Sequence, residues 1–128
     1  MTPKPNEALP IQRKPVKKSL SEIAREDAHG GSGARQLIFH KSEDFVSPQF
    51  EAMTKGFLPP GASYDWHQHD GVDELFLVVD GTGSIEYADG SKFDYRSGDI
   101  FYSPAGLSHK LVNTGQADNI FYFIRLNA

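Results

Sequence analysis

His67 and His69 are separated by one residue, and Glu74 follows five residues after the second of them. On a strand alternate side chains share a face, so both imidazoles point one way and Gln68 the other. Two imidazoles side by side can coordinate a single ion. Glu74 begins the next apolar run after a short turn over residues 70–73, close enough to add a carboxylate oxygen. A second segment, from Gly98 to Asn113, supplies a third imidazole in His109. Two histidines with a carboxylate favour Fe(II), Mn(II), Ni(II) or Zn(II). The chain of 128 residues has no cysteine, which excludes disulfides, thiolate zinc sites, iron–sulfur clusters and thiol nucleophiles. Any metal must therefore rely on nitrogen and oxygen ligands.

These residues need strands to hold them. From Gln36 onward, short runs rich in β-branched and aromatic residues alternate with Gly, Pro and Asp turns. The pattern predicts strands at 36–40, 50–58, 64–69, 74–79, 83–87, 92–95, 100–103, 109–113 and 120–126. Strands at that spacing, with no helix-length pattern between them, indicate an all-β sandwich or barrel. Ala88-Asp89-Gly90 reads as a hairpin turn. Upstream the character differs. Residues 1–18 hold five basic residues against Glu7, a net +4 within a chain of −4, so the remaining 110 residues carry −8. Half of the eight prolines lie in the same stretch, which reads as an extended arm. Ser19-Leu20-Ser21-Glu22 fits a capping box and predicts a short helix ending near Ala28, before a linker at residues 30–33. The expected division is an arm with a short helix over 1–33 and a barrel over 34–128.

The two segments resemble the paired motifs of the cupin superfamily. Gly61, His67, His69, Glu74 and Gly81 fit the first, G-x5-H-x-H-x(3,4)-E-x6-G, with four residues before the glutamate. Gly98, Pro104, Gly106, His109 and Asn113 fit the second, G-x5-P-x-G-x2-H-x3-N, at every position. The resemblance covers residues 36–126. It implies a double-stranded β-helix, or jelly-roll barrel, with one divalent transition metal held by His67, His69, Glu74 and His109. Two positions of a six-coordinate ion then stay open for water, substrate or dioxygen. The implied function is an enzyme acting on a small oxygenated metabolite (an oxo-acid, enol or sugar-like compound) as a dioxygenase, isomerase, decarboxylase or lyase. The alternative is a non-catalytic protein that binds or senses a small molecule through the metal. Glu74 could remain a ligand or act as a general base.

Parity turns Glu74, Phe76 and Val78 inward and Leu75, Leu77 and Val79 outward. The outward apolar residues call for a cover, and a homodimer is the expected one. Tyr64, Phe76, Val78, Leu111 and Phe123 are the candidate pocket lining, with Tyr102 a candidate catalytic residue beside Glu74. Whether Ile100 and Tyr102 or Phe101 and Ser103 face inward stays open, as does the choice between Phe121 with Phe123 and Tyr122 with Ile124. An apolar or aromatic lining in each case suggests a partly hydrophobic ligand. Lys110 and Arg125 could pair with a substrate carboxylate, but as strand residues next to inward ones they are expected to face solvent, and His29 and His40 to lie on the surface. Gly81, Gly98 and Gly106 are read as turn residues with positive φ, and Asn113 as a brace of the barrel. The negative charge argues against a nucleic-acid partner. With no apolar run near the ~18 residues a bilayer requires, the expectation is a cytoplasmic protein without a membrane partner.

Overall fold

The computed structural model describes residues 15–41 and 46–128. Among the described residues, ten strands form two antiparallel sheets. They are β1 (Glu26–Ala28), β2 (Gly33–His40), β3 (Phe50–Leu58), β4 (Ser63–His67), β5 (Val72–Asp80), β6 (Thr82–Tyr87), β7 (Lys92–Arg96), β8 (Ile100–Ser103), β9 (His109–Asn113) and β10 (Asn119–Asn127). The larger sheet runs β1-β2-β3-β10-β5-β8 and the smaller β4-β9-β6-β7. The candidate arm over residues 1–14 lies outside the described residues.

The core fills the space between the sheets. Leu58, Phe76, Val78, Ile85, Leu111 and Phe121 are at most 1 % exposed. Phe76 stacks on Phe101 with ring centroids 5.0 Å apart and meets Phe121 edge-on at 5.9 Å, arrangements aromatic rings favour. Inward parity on β5 is as expected, with Glu74, Phe76 and Val78 buried and Leu77 and Val79 exposed. The open parities are resolved by register. Phe76 faces Phe101 across the β5–β8 ladder and Glu74 faces Ser103, so Ile100 and Tyr102 point outward. Likewise Phe123 lies opposite Phe76, so Phe121 and Phe123 fill the interior and Tyr122 does not.

The expected helix after Ser19 is a single 3₁₀ turn, Leu20–Glu22, and the Ser19 side chain makes no cap. Its continuation is blocked by tertiary contacts. The Gln36 amide donates to the carbonyls of Leu20 and Ile23 at 2.9 and 2.8 Å, taking acceptors that a second helical turn would use. The chain instead enters β1, which pairs with β2. Gly33, expected in a linker, starts β2. The turn glycines behave as expected, with φ of 95° at Gly81, 94° at Gly98 and 77° at Gly106.

Candidate metal centre

Two strands and one turn bring the histidines together. His67 ends β4 and pairs with His109 at the start of β9 across a ladder that shifts register between Tyr64 and His67. His69 sits past the strand end, in the turn toward β5. The second motif holds that turn: the Gly106 amide donates to the His69 carbonyl at 3.0 Å. Asp73 tightens the same junction, accepting from the Ala105 amide at 2.8 Å and the Tyr102 hydroxyl at 2.6 Å. Ring centroids of His67 lie 5.3 Å from His69 and 4.4 Å from His109. One ligand nitrogen from each of the three falls within 4.8 Å of the others.

The donor chemistry fits a divalent metal. A backbone carbonyl can only accept, so the contacts of Nδ1 with the Asp65 carbonyl (His67, 2.6 Å) and the Leu107 carbonyl (His109, 3.4 Å) place the proton on Nδ1. Such outer contacts orient an imidazole and leave Nε2 as the free lone pair. Nε2 of His69 and of His109 is buried without a hydrogen-bond partner. A buried polar atom left unpaired costs about 1–3 kcal/mol, an expense that a bound cation would remove. Glu74 lies beside the three histidines. Its carboxylate is 2 % exposed and lies 3.5 Å from His69 Nε2 and 3.8 Å from His109 Nε2. Those separations are long for hydrogen bonds and suit groups that share an ion. Burial, ahead of the neighbouring charges, lowers the pKa of His69 and of His109, which keeps both imidazoles neutral and ready to ligate.

A cleft in two lobes opens onto His69. One lobe, about 360 Å³, is lined by residues that include His29, Thr54, Tyr64, Phe123 and Arg125. The other, about 380 Å³, includes Leu37, His40, Glu51, Val72 and Arg125. Arg35, His69 and Arg125 belong to both.

Several expectations change here. Tyr64 and Phe123 line the cleft, whereas Phe76, Val78 and Leu111 are sealed in the core and line neither lobe. Tyr102 is 55 % exposed on the outer face of β8, with its hydroxyl committed to Asp73, so its position gives it no contact with the cluster. The interior hydroxyl on that side is Ser103, bonded to Tyr87 at 2.8 Å. Arg125 was expected in solvent but shares the inward parity of Phe121 and Phe123, and its Nε donates to Glu74 at 2.9 Å. The lining is partly hydrophobic, as expected, through Tyr64, Phe123, Leu37 and Val72, and Arg35 and Arg125 add a polar share of about equal size. Lys110 points away from the cluster, with its ammonium 4.0 Å from Asp65.

His29 is exposed, as expected, but one face of its ring packs inward. Its ring stacks on Tyr64 at 4.2 Å and lies 4.8 Å from His67. That packing, then the proximity of His67, pushes its pKa down to about 4. Its backbone adopts φ 50° beside Gly30 and Gly31, an uncommon conformation for a residue with a Cβ. The sequence held one signal for it, a histidine followed by two glycines that let the chain turn over the barrel mouth.

A jelly-roll barrel with a histidine cluster at one end defines a class, and the comparisons agree with it. The family model described as "Cupin domain" matches residues 57–125. The chain belongs to the cupin superfamily. It is 29 % identical over 101 residues to a Thermotoga maritima protein named "Oxalate-binding protein", covering 77 % of this chain and 83 % of that one. Among solved structures it resembles one titled a predicted oxalate decarboxylase from Thermotoga maritima. The TM-score is 0.79 and the identity 24 %, over 88 % of this chain and all of that one. An RmlC-like cupin from Shewanella frigidimarina NCIMB 400 matches with TM-score 0.72 at 21 % identity, over 92 % and 96 % of the two chains. The structural matches carry the fold.

Proposed function

We propose that the chain holds one divalent transition metal, Fe(II), Mn(II), Ni(II) or Zn(II), through His67, His69, His109 and Glu74, and uses it to act on a small oxygenated acid. The observation that carries this reading is the pair of buried, unpartnered Nε2 atoms facing a buried carboxylate. When bound, the metal supplies Lewis acidity to a carbonyl or carboxylate oxygen. The protein's own residues do the rest. The Asp65 and Leu107 carbonyls fix the imidazole tautomers, and Tyr64 and Phe123 shield one wall of the cleft from water. His29, neutral near pH 7, offers a ring nitrogen at the mouth for a hydrogen bond or a proton. Glu74 balances charge and is the carboxylate nearest the cluster.

A second reading, binding without turnover, is favoured by the similarity to the Thermotoga maritima protein named "Oxalate-binding protein". The exposed apolar strip of Leu77, Ile100 and Tyr102 on β5 and β8 supports a homodimer. One experiment separates enzyme from binder. Mn(II)-loaded protein is mixed with oxalate or a 2-oxo acid, with affinity read by calorimetry and products by carbon NMR. The enzyme reading expects product that ceases on chelation, and the binding reading expects metal-dependent affinity alone. Absence of both contradicts the proposed function.

A further inference from the structure

The inner face of β10 carries Phe121, Phe123 and then Arg125, so a cation follows two core aromatics into the barrel. Its side chain is 19 % exposed and sits directly opposite Glu74 in the β5–β10 ladder. Nε donates to Glu74 Oε2 at 2.9 Å. Among the described residues that is the guanidinium's one hydrogen bond, so its terminal amino groups remain available on the cleft wall. Arg35 stands on the same wall, its Nε held by Glu26 at 2.7 Å.

A cation this close to a metal cluster has a charge consequence. On the reading that a divalent ion occupies the cluster, ion and Arg125 together bring three positive charges, and Glu74 brings one negative charge. The histidines are neutral when they ligate; on the cleft walls Arg35 is balanced by Glu26 and Glu51 by Lys41, and the Asp27 carboxylate is exposed to solvent. The site is left with an excess of two positive charges in a partly buried space, where uncompensated charge is costly. A neutral or singly charged ligand leaves part of that excess, whereas a dianion removes it. Arginine is also suited to a carboxylate by shape, since its planar fork makes paired hydrogen bonds that an ammonium cannot.

We propose that Arg125 selects the ligand, and that the ligand class is a small dicarboxylate with one carboxylate toward the histidine cluster and the other on the free edge of Arg125. The inference rests on the metal reading above. Arg35, at the rim and already paired, makes the smaller contribution.

The test uses Mn(II)-loaded full-length protein and two nearly isosteric probes. Oxalate is a dianion, and oxamate replaces one carboxylate with a neutral amide. Calorimetry of the unaltered protein is expected to show oxalate binding at least about 10-fold tighter than oxamate, the lower end for a hydrogen bond to a charged group. In Arg125→Gln that preference is expected to shrink to within about threefold, with Arg125→Lys intermediate and Arg35→Gln losing less. Mn(II) affinity, measured without either probe, is expected to hold or rise in Arg125→Gln, because a like charge leaves the cluster. Equal affinity of the unaltered protein for the two probes, needing no variant, overturns the inference and leaves the metal reading standing. So does a loss of Mn(II) binding in Arg125→Gln that matches the loss of oxalate, since the residue would then merely position Glu74. Failure of the unaltered protein to bind Mn(II) overturns both.

Discussion

Strand β9 carries a polar cluster at each end, about 13 Å apart at the usual rise per residue, and the two are built on opposite rules. At one end Asn113 is 2 % exposed and every polar atom is paired. Its amide donates to the carbonyls of Leu58 and Ala117 at 2.8 and 2.9 Å, and its oxygen accepts from the Gly115 amide at 2.8 Å. Nearby Asn119 donates to the Thr82 carbonyl and accepts from the Tyr95 hydroxyl at 2.6 Å. At the other end His109 is 1 % exposed, and its Nε2 faces His69 and Glu74 without a hydrogen bond. Equal burial therefore serves two purposes. A closed network ties loops to the barrel, and an open one costs stability until a ligand closes it.

Substitution should separate the two ends cleanly. The largest effect is expected from His109→Ala, which should weaken Mn(II) binding more than ~100-fold, since even outer partners of a metal site are worth about 10–100-fold. Titration calorimetry measures it, and the metal-free protein should keep most of its stability. Asn113→Ala should do the reverse. It orphans three backbone groups and is expected to cost about 2 kcal/mol or more in urea denaturation, with Mn(II) affinity unchanged. Loss of metal binding in that variant would show the two ends to be one unit.

A smaller effect concerns acid. His29 has a folded-state pKa of about 4 against an ordinary 6.5, and those of His69 and His109 are lowered in the same direction. Between pH 6.5 and about 4 the unfolded chain therefore binds protons that the folded chain refuses, so stability falls as pH falls. Thermal midpoints of the metal-free protein should decline through that window and be level above it. His29→Gln should make that decline shallower. The smallest effect is expected from Tyr102→Phe. With the phenol on the outer face, stability should change by less than about 1 kcal/mol and metal affinity not at all.

Period-two patterning made most strands legible, and β3, β8 and β9 begin and end where the alternation does. Strand β1 was not legible, because Glu26-Asp27-Ala28 has no β-branched or aromatic residue and exists through pairing with β2 and the contact of Glu26 with Arg35. The histidine cluster was legible because His67 and His69 stand one residue apart and His109 holds its place in the second motif, between Gly106 and Asn113. Arg125 was not, because which face of β10 points inward depends on its register against β5. Residues directly opposite in a ladder share a face, so knowing that Arg125 faces Glu74 fixes its direction at once. The same missing register hid the outward turn of Tyr102. His29 reaches the cleft through a turn whose destination is set by tertiary packing on Tyr64.

Occupation of the unpartnered imidazole nitrogens by a cation is what the proposed function depends on. It is tested most directly by elemental analysis of full-length protein saturated in turn with Mn(II), Fe(II), Ni(II) and Zn(II) and then gel-filtered, with His109→Ala alongside. The account expects close to one ion per chain for at least one of the four metals, lost in the variant. Protein that retains none of them, or retains the ion equally well without His109, would contradict it.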